Sequence, residues 1–132
     1  VRPLFVREIA AGREVVVFGA EKLLDFTYVD DCVNAIYRGV SRLHAREINN
    51  ETLNVAAGRG HSLVELVELI GEALGVKPRF RVEPSRPGEI TRYVADISKA
   101  KALLGYTPTT HLPDGVKKAI DWSGVVADGK NA

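Results

Sequence analysis

The sequence predicts a single mixed α/β domain in which short strands alternate with amphipathic helices. The clearest helix signal is a capping box, Ser62 with Glu65, which opens a segment with apolar residues at helical spacing up to Gly75. The clearest strand signal is the β-branched run Val15–Phe18, which Gly19 closes. Because strand-like and helix-like segments alternate along the chain, helices layered on a sheet are the expected architecture.

Two further helices are expected in the N-terminal part of the chain. Residues 3–11 form the first, because a proline suits the first turn of a helix and Gly12 provides a stop. The second begins where Asp30 or Asp31 can cap it. Its apolar positions at helical spacing are Val33, Ile36, Tyr37 and Val40.

The C-terminal part also predicts two helices. Asp96 is a suitable cap for a helix that continues through Leu104 and ends at Gly105. The last helix precedes a polar tail, and its apolar positions are Leu112, Val116, Ala119 and Ile120. Trp122 lies on this helix and is expected to be a packing residue.

Four more segments have strand character, namely residues 26–29, 52–56, 80–83 and 93–95. Residues 80–83 alternate in polarity as a half-buried strand does. Residues 58–60, Gly-Arg-Gly, are predicted to form a turn, and the proline- and glycine-containing residues 84–88 another.

Length and composition restrict the expected class. The 132 residues suit one domain, residues 1–132, and 45% hydrophobic with 27% charged residues is ordinary for a soluble globular protein. A net charge of +1 gives no broad basic surface for nucleic acid, and no apolar run is long enough for a membrane span. A single cysteine and the absence of a secretory signal predict a cytoplasmic protein. The start at Val1 instead of Met suggests a truncated or processed product.

The turn at residues 58–60, between a predicted strand and a helix, superficially resembles a dinucleotide fingerprint. The third glycine position is Leu63, and its bulk prevents the close approach of helix to strand that the fingerprint requires. A tight strand-to-helix turn is therefore favoured, with a weak ligand contact through Arg59 or His61 as the alternative. No cofactor site is predicted in this chain.

No metal site and no catalytic residue are predicted. The three histidines, His44, His61 and His111, lack the spacing of metal ligands, and Cys32 has no nearby Cys or His partner. Catalysis by Cys32 would need a lowered thiol pKa, whereas its place at the start of a helix favours simple burial.

Three segments, in this order and at this spacing, carry a family resemblance. They are Asp25-Phe26-Thr27-Tyr28-Val29-Asp30-Asp31, Arg86-Pro87-Gly88-Glu89 and Tyr93-Val94-Ala95-Asp96. Together they resemble the C-terminal, substrate-binding part of the NAD-dependent nucleotide-sugar epimerase/dehydratase family, the extended short-chain dehydrogenases. The resemblance covers residues 3–122. It implies a smaller domain that binds a nucleotide-diphosphate sugar, beside a Rossmann domain that binds NAD and is missing from this chain.

The resemblance also implies a set of substrate-binding residues. Arg86 matches the arginine that contacts the diphosphate, Glu89 the acid that hydrogen-bonds the ribose, and Tyr93 the aromatic residue that lines the pocket. A guanidinium fork suits phosphate oxygens, and a carboxylate accepts hydrogen bonds from vicinal hydroxyls. The backbone of the strand at Val17 and Phe18 is implied to pair with a pyrimidine base. The alternative is a solvated ion pair between Arg86 and Glu89 around a turn.

The chain departs from the family pattern in two places. A second arginine normally stands directly before the Asp-Phe pair, where this chain has Leu24, and Lys22 is expected to substitute as a less directional charge. The family's proton-transfer pair, a Tyr with a Lys four residues later, is absent, since none of the four tyrosines has such a lysine. Tyr28, Asp30 and Asp31 are expected to pack and cap instead of catalysing.

The resemblance therefore implies a chain that binds a substrate without turning it over. The leading expectation is the UDP-sugar-binding part of a parent enzyme similar to a UDP-glucose 4-epimerase, with NAD held elsewhere in the parent. A parent similar to a dTDP-glucose 4,6-dehydratase is the alternative within the family, and a non-catalytic anion- or protein-binding module is the alternative outside it. A surface left by the missing half is expected to permit homodimerisation.

Overall fold

The computed structural model describes residues 2–127, and its elements confirm the mixed α/β class. The helices are α1 (Arg2–Ala10), α2 (Val29–His44), α3 (Leu63–Leu74), α4 (Ser98–Leu104) and α5 (Leu112–Ser123). The strands are β1 (Val15–Phe18), β2 (Leu23–Asp25), β3 (Gly60–His61), β4 (Phe80–Glu83) and β5 (Arg92–Tyr93). All five predicted helices are present, and their ends agree with the sequence patterns to within a few residues.

The strands form two small sheets. β1 pairs with β4 in parallel, with Val17 opposite Val82, and the other edge of β1 has no strand partner among the described residues. The second sheet has the order β3-β2-β5, in which β2 runs antiparallel to β3 and parallel to β5. Because β1 and β4 run in the same direction, the loops that follow them emerge at the same end of the sheet.

Three helices and β1 enclose the main core. α3 supplies its centre, where Leu66 and Val67 are completely buried, and both α1 and α5 pack against this helix. Ser62 begins α3 as predicted, because its Oγ accepts a hydrogen bond from the Glu65 amide at 3.0 Å. The Glu65 side chain does not close the capping box and contacts His61 Nδ1 at 2.9 Å. A single cap of this kind contributes about 1 kcal/mol to stability.

A second, smaller core lies between α2, α4 and residues 53–56. Tyr106 is completely buried at its centre, and its hydroxyl donates a hydrogen bond to the Ala56 carbonyl at 2.9 Å. Burial raises the pKa of the Tyr106 hydroxyl, which keeps it protonated as a donor. The helices contribute the small buried residues Ala35 and Ala100, so this core is thin.

Two strand predictions are wrong. Residues 26–29 hold a loop and the start of α2, and the strand lies earlier, at Leu23–Asp25. Its position is fixed by pairing of Leu24 with β3 and β5, whose residues are distant in the sequence. Residues 52–56 have no ladder partner within residues 2–127, so their β-branched character alone does not make a strand here. The predicted turn at residues 58–60 in fact contributes Gly60 to β3.

The predicted capping of α2 by Asp30 or Asp31 is also wrong, since Tyr28 is the N-cap residue. Asp31 is only 4% exposed, and its carboxylate binds the loop before α5. Its Oδ1 accepts from the Thr109 amide and hydroxyl, both at 2.9 Å, and its Oδ2 accepts from the Thr110 amide at 3.0 Å. Desolvation opposes this charge, but the donors outweigh it and hold the pKa of the Asp31 carboxyl below its usual value.

The glycine stops behave as predicted, since Gly75 and Gly105 are the left-handed C-cap residues of α3 and α4. Asp96 is not the N-cap residue of α4, which is Ile97, although Asp96 Oδ1 accepts a hydrogen bond from the Ser98 amide at 2.8 Å.

Two apolar features also differ from the prediction. Trp122, expected to pack, is 90% exposed. The predicted apolar positions of α2 also face outward, and Cys32 is partly buried.

Candidate functional site

The parallel pairing of β1 and β4 positions the two loops that carry the predicted site. Gly19 ends β1, and its amide donates to the Glu83 carbonyl at 2.8 Å, which continues the ladder by one bond. A tight turn follows, in which the Lys22 amide donates to the Gly19 carbonyl at 3.1 Å. The loop after β4, residues 84–89, therefore lies directly beside the turn after β1.

Gly19 is required by the close contact between these loops. Its φ of 77° belongs to the left-handed region that glycine adopts without strain. A Cβ at this position would lie 2.7 Å from Lys22 Cε and would collide with Ser85 Oγ. Ser85 Oγ in turn donates a hydrogen bond to the Glu21 carboxylate, which joins the two loops again.

One carboxylate oxygen organises the charged side chains of the site. Glu89 Oε2 forms an ion pair with Lys22 Nζ and also accepts a hydrogen bond from the Arg86 amide at 3.1 Å. The hydrogen bonds from Lys22 and from the Arg86 amide lower the pKa of the Glu89 carboxyl. The Lys22 side chain is only 10% exposed, so its ammonium is held at the loop junction.

The Arg86 side chain lies over the ring of Phe18, with its guanidinium carbon 5.3 Å from the ring centroid. A cation–π contact of this kind contributes roughly 0.5–1 kcal/mol at an exposed site. Arg86, Lys22 and Glu89 thus gather on one side of the end of β1. The alternative expected from the sequence was a solvated ion pair between the side chains of Arg86 and Glu89. This ion pair is not formed among the described residues, because Glu89 pairs with Lys22.

The two predicted strand residues have different surroundings. Val17 is completely buried in the main core, so its side chain cannot reach a ligand. The amides of Val15 and Gly19 donate to β4, and therefore odd-numbered residues of β1 turn their backbone groups toward that strand. The N–H and C=O of Phe18 consequently point to the free edge of β1, and its side chain is 38% exposed.

Tyr93, the sixth predicted site residue, lies on β5 opposite Leu24 and is 67% exposed. No hydrogen bond or ring contact within residues 2–127 joins it to Arg86, Lys22 or Glu89. The structure therefore brings four predicted side chains together at the end of β1, buries Val17 beneath them and sets Tyr93 apart.

Asp25 is an organising residue that the sequence reasoning did not select. Its Oδ1 accepts from the Ala57 amide at 2.9 Å, and its Oδ2 accepts from the Gly58 amide at 2.9 Å and the Ala95 amide at 3.2 Å. The only sequence signal was its place at the head of the Asp-Phe pair. The carboxylate connects three segments and fixes the loop before β3.

These contacts decide whether residues 58–60 fit a dinucleotide. The Gly58 amide is already bound to Asp25, and the first turn of α3 is capped by Ser62 of the same chain. Gly60 packs tightly, since a Cβ there would lie 2.9 Å from Val94 Cγ2. The Gly58 amide and the capped first turn of α3 are thus engaged in the fold, and the close packing of Gly60 leaves no room for a pyrophosphate, so these residues do not fit NAD.

A second group of polar residues surrounds a small cavity near the start of α5. Arg59 Nη1 lies 2.6 Å from His111 Nδ1, and both residues line the cavity with His61 and Phe26. Its volume of about 20 Å³ holds roughly one water molecule, so a sugar nucleotide does not fit. No group of three potential metal ligands occurs in the described part of the chain.

Comparison with known proteins identifies the class. Residues 2–119 match the family model described as GDP-mannose 4,6 dehydratase. The chain therefore belongs to the family of NAD-dependent epimerases and dehydratases that act on nucleotide sugars, as the sequence motifs predicted. None of the helices described between residues 2 and 127 is long and apolar enough to cross a membrane.

Individual relatives are UDP-sugar epimerases. The chain is 33% identical to an uncharacterized UDP-glucose epimerase of Bacillus subtilis strain 168, over 95% of this chain and 39% of that protein. A UDP-glucose-4-epimerase from Stenotrophomonas maltophila, solved with NAD and formylated UDP-arabinopyranose, has a TM-score of 0.82 and 30% identity over 93% of this chain and 39% of its own. A UDP-glucuronic acid 4-epimerase from Bacillus cereus, solved with UDP-glucuronic acid and NAD, has a TM-score of 0.79 and 28% identity over 89% and 37%. The chain spans less than two fifths of the length of each.

Proposed function

We propose that residues 1–132 form a single substrate-binding domain of an NAD-dependent epimerase similar to UDP-glucose 4-epimerases, and that they bind the UDP part of a nucleotide sugar. The observation that carries this proposal is the arrangement at the end of β1. There the guanidinium of Arg86 lies over the ring of Phe18, whose backbone edge is unpaired, and Glu89 holds the ammonium of Lys22 at the adjacent loop junction. Two cations near the end of one open strand suit a diphosphate attached to a base.

Arg86 and Lys22 have different roles in the proposed binding of the diphosphate. Arg86 offers a planar fork of donors and is already oriented by the ring of Phe18, so little side-chain freedom is lost when phosphate binds. Lys22 supplies the second positive charge where the family has an arginine and this chain has Leu24. Glu89 holds that ammonium at the junction of the two loops until a diphosphate shares it.

The free edge of Phe18 supplies one N–H donor and one C=O acceptor. A uracil ring presents an acceptor oxygen next to an N–H donor, so it can pair with this edge as a further strand would. Thymine has the same groups at the same positions. The edge therefore suits uracil and thymine alike and does not separate UDP from dTDP. Glu89, after exchange with the diphosphate, and Tyr93 are proposed to contact the ribose and the outer side of the nucleotide.

We propose that NAD and the proton-transfer residues belong to another part of a longer parent protein. Solved relatives hold NAD together with a UDP sugar, whereas residues 58–60 of this chain do not fit that cofactor. None of its tyrosines has a lysine four residues later. On this proposal the chain binds UDP and does not interconvert UDP-glucose and UDP-galactose by itself.

A dehydratase parent is the second candidate within the family. It is favoured by 29% identity to a dTDP-glucose 4,6-dehydratase of Escherichia coli, over 91% of this chain and 36% of that protein. A non-catalytic module that holds another anion through Arg86 is the candidate from a different class.

Titration calorimetry with UDP tests the proposal on three proteins. We expect the native chain to bind UDP and Arg86→Ala to bind it at least tenfold more weakly, because a charge-assisted contact to phosphate contributes on the order of 1.5–3 kcal/mol. Arg79→Ala is the matched control, since Arg79 is an exposed arginine just before the other end of β4. No binding of UDP by the folded native chain would refute the proposal, as would equal losses in both variants.

Two further ligands separate the candidates. Tighter binding of dTDP than of UDP would favour the dehydratase parent. Inorganic pyrophosphate bound as tightly as UDP would show that the base is not recognised, which would favour the anion-binding module.

A further inference from the structure

The charged side chains of the two loops at the end of β1 cancel one another in the free chain. Lys22 and Arg86 are the cations, and Glu21 and Glu89 are the carboxylates. Glu89 pairs with Lys22, and Glu21 accepts a hydrogen bond from Ser85. The Arg86 guanidinium has no ion pair or hydrogen bond within residues 2–127. An incoming anion therefore meets one available cation and one, Lys22, that is already neutralised.

Glu89 makes its contacts through a single oxygen. Its Oε2 accepts from Lys22 Nζ and from the Arg86 amide, whereas its Oε1 has no hydrogen-bond partner in the described part of the chain. The Glu89 side chain is 37% exposed and that of Lys22 only 10%. An anion that binds the Lys22 ammonium therefore has to displace this carboxylate or share the ammonium with it.

The chemistry of the anion decides how costly this exchange is. The Glu89 carboxyl is ionised near neutral pH, because hydrogen bonds from Lys22 and from the Arg86 amide lower its pKa. An ionised carboxylate only accepts hydrogen bonds, and so does a bare pyrophosphate, so the two repel each other at one ammonium. A nucleoside diphosphate also carries ribose hydroxyls, which donate to a carboxylate. Glu89 consequently opposes the bare anion and gains a partner from the nucleotide.

We propose that Glu89 is a specificity-determining residue, whose carboxylate competes with inorganic anions for Lys22 and yields to a ligand that carries both a diphosphate and ribose hydroxyls. This inference rests on the proposed nucleotide site and adds to it a discrimination against pyrophosphate. It also differs from a simple ribose contact. If Glu89 only contacted the ribose, its replacement would weaken UDP binding and leave the affinity for pyrophosphate unchanged.

Titration calorimetry with UDP and with pyrophosphate, without divalent cations, tests the competition on the full chain. Glu89→Gln removes the charge and keeps an acceptor for the Arg86 amide. We expect it to bind pyrophosphate about fivefold more tightly than the native chain, which is the upper range for one partly exposed ion pair. It should bind UDP more weakly, because the ribose hydroxyls lose a charged acceptor.

Glu21→Gln is the matched control. It removes the same charge from the residue next to Lys22, but the Glu21 carboxylate contacts Ser85 and forms no ion pair with Lys22 among the described residues. It should leave the ratio of the UDP and pyrophosphate affinities unchanged. If Glu21→Gln and Glu89→Gln increased pyrophosphate binding equally, net charge alone would explain the effect and the proposal would be overturned.

A second substitution in the Glu89→Gln background identifies the released cation. Lys22→Met keeps a long apolar stem in this buried position and removes the ammonium. We expect it to abolish the gain in pyrophosphate affinity, and a gain that survived would contradict the role of Lys22. Urea denaturation of each variant verifies that it is folded.

The two ligands separate this inference from the proposed function. UDP binding by the native chain, with equal pyrophosphate affinity in the native and Glu89→Gln proteins, would overturn the inference and keep the proposed function. Absence of UDP binding by the native chain would refute the proposed function. Pyrophosphate would still decide the role of Glu89 in that case, since a gain in Glu89→Gln that Lys22→Met removes would support its competition for Lys22.

Discussion

The substitution Asp31→Asn tests how much the buried Asp31 carboxylate stabilises the contact between α2 and the loop before α5. Asp31→Asn keeps the shape of the side chain and removes its charge. The carboxylate accepts two hydrogen bonds at Oδ1 from Thr109 and one at Oδ2 from the Thr110 amide. An amide has only one acceptor oxygen, so in either orientation its NH₂ group faces a backbone N–H.

The expected loss follows from these contacts. A hydrogen bond to a charged group contributes about 1.5–3 kcal/mol, and a buried donor left unpaired costs about 1–3 kcal/mol. The carboxylate has to offset its own desolvation, which reduces the net difference between the two side chains. We therefore expect the free energy of unfolding to fall by about 2–4 kcal/mol near neutral pH.

Urea denaturation measures this loss, and Asp30→Asn is the matched control because it removes the same charge from the same helical turn at an exposed position. The folded-state pKa of Asp31 lies below its usual value of about 3.9. Its contribution is therefore complete above that value and is lost as the pH falls through the folded-state pKa. The native and Asp31→Asn proteins should accordingly converge in acid. A difference from Asp30→Asn below about 0.5 kcal/mol, or a loss independent of pH, would refute the reasoning.

Two further substitutions have defined outcomes. Tyr106→Phe leaves the Ala56 carbonyl without its donor, so urea denaturation should show a loss of about 1–3 kcal/mol; the exposed Tyr37→Phe should show none. Gly19→Ala forces a methyl group against Lys22 in a left-handed conformation, and calorimetry should show weaker UDP binding. Gly12→Ala has a similar φ of 68° with open space around it, so it should lose stability and keep its affinity for UDP. Equal affinities of the two alanine variants would contradict the packing role of Gly19.

Local signals were sufficient where an element is determined by its own residues. Ser62 and Gly75 mark both ends of α3, and the β-branched run gives β1, because caps and side-chain shape act within a few residues. β2 has three residues and was misplaced, since its position depends on pairing with β3 and β5. Periodicity likewise found the apolar stripe of α2. It could not show that this stripe faces outward. The helical spacing of apolar residues identifies the apolar face of a helix, but it does not identify the element that packs against that face.

The candidate site shows the same division between local and distant information. The motif predicted Arg86 and Glu89 on one loop, and the chemistry of their side chains predicted an anion site. The pairing of Glu89 with Lys22 spans 67 residues and has no local signature. The cation–π contact between Arg86 and Phe18 likewise depends on the parallel register of β1 and β4.

The hydrogen bonds of the Asp25 carboxylate affect how cooperatively the molecule unfolds. Its amide partners lie 32, 33 and 70 residues further along the chain. The next residue, Phe26, packs against the main core, whereas Ala95 packs against the core around Tyr106. Neither core can loosen without straining a bond at this side chain. The two cores should therefore unfold in one cooperative transition. Folding should be slow, because the hydrogen bonds of Asp25 join segments that are distant in the sequence.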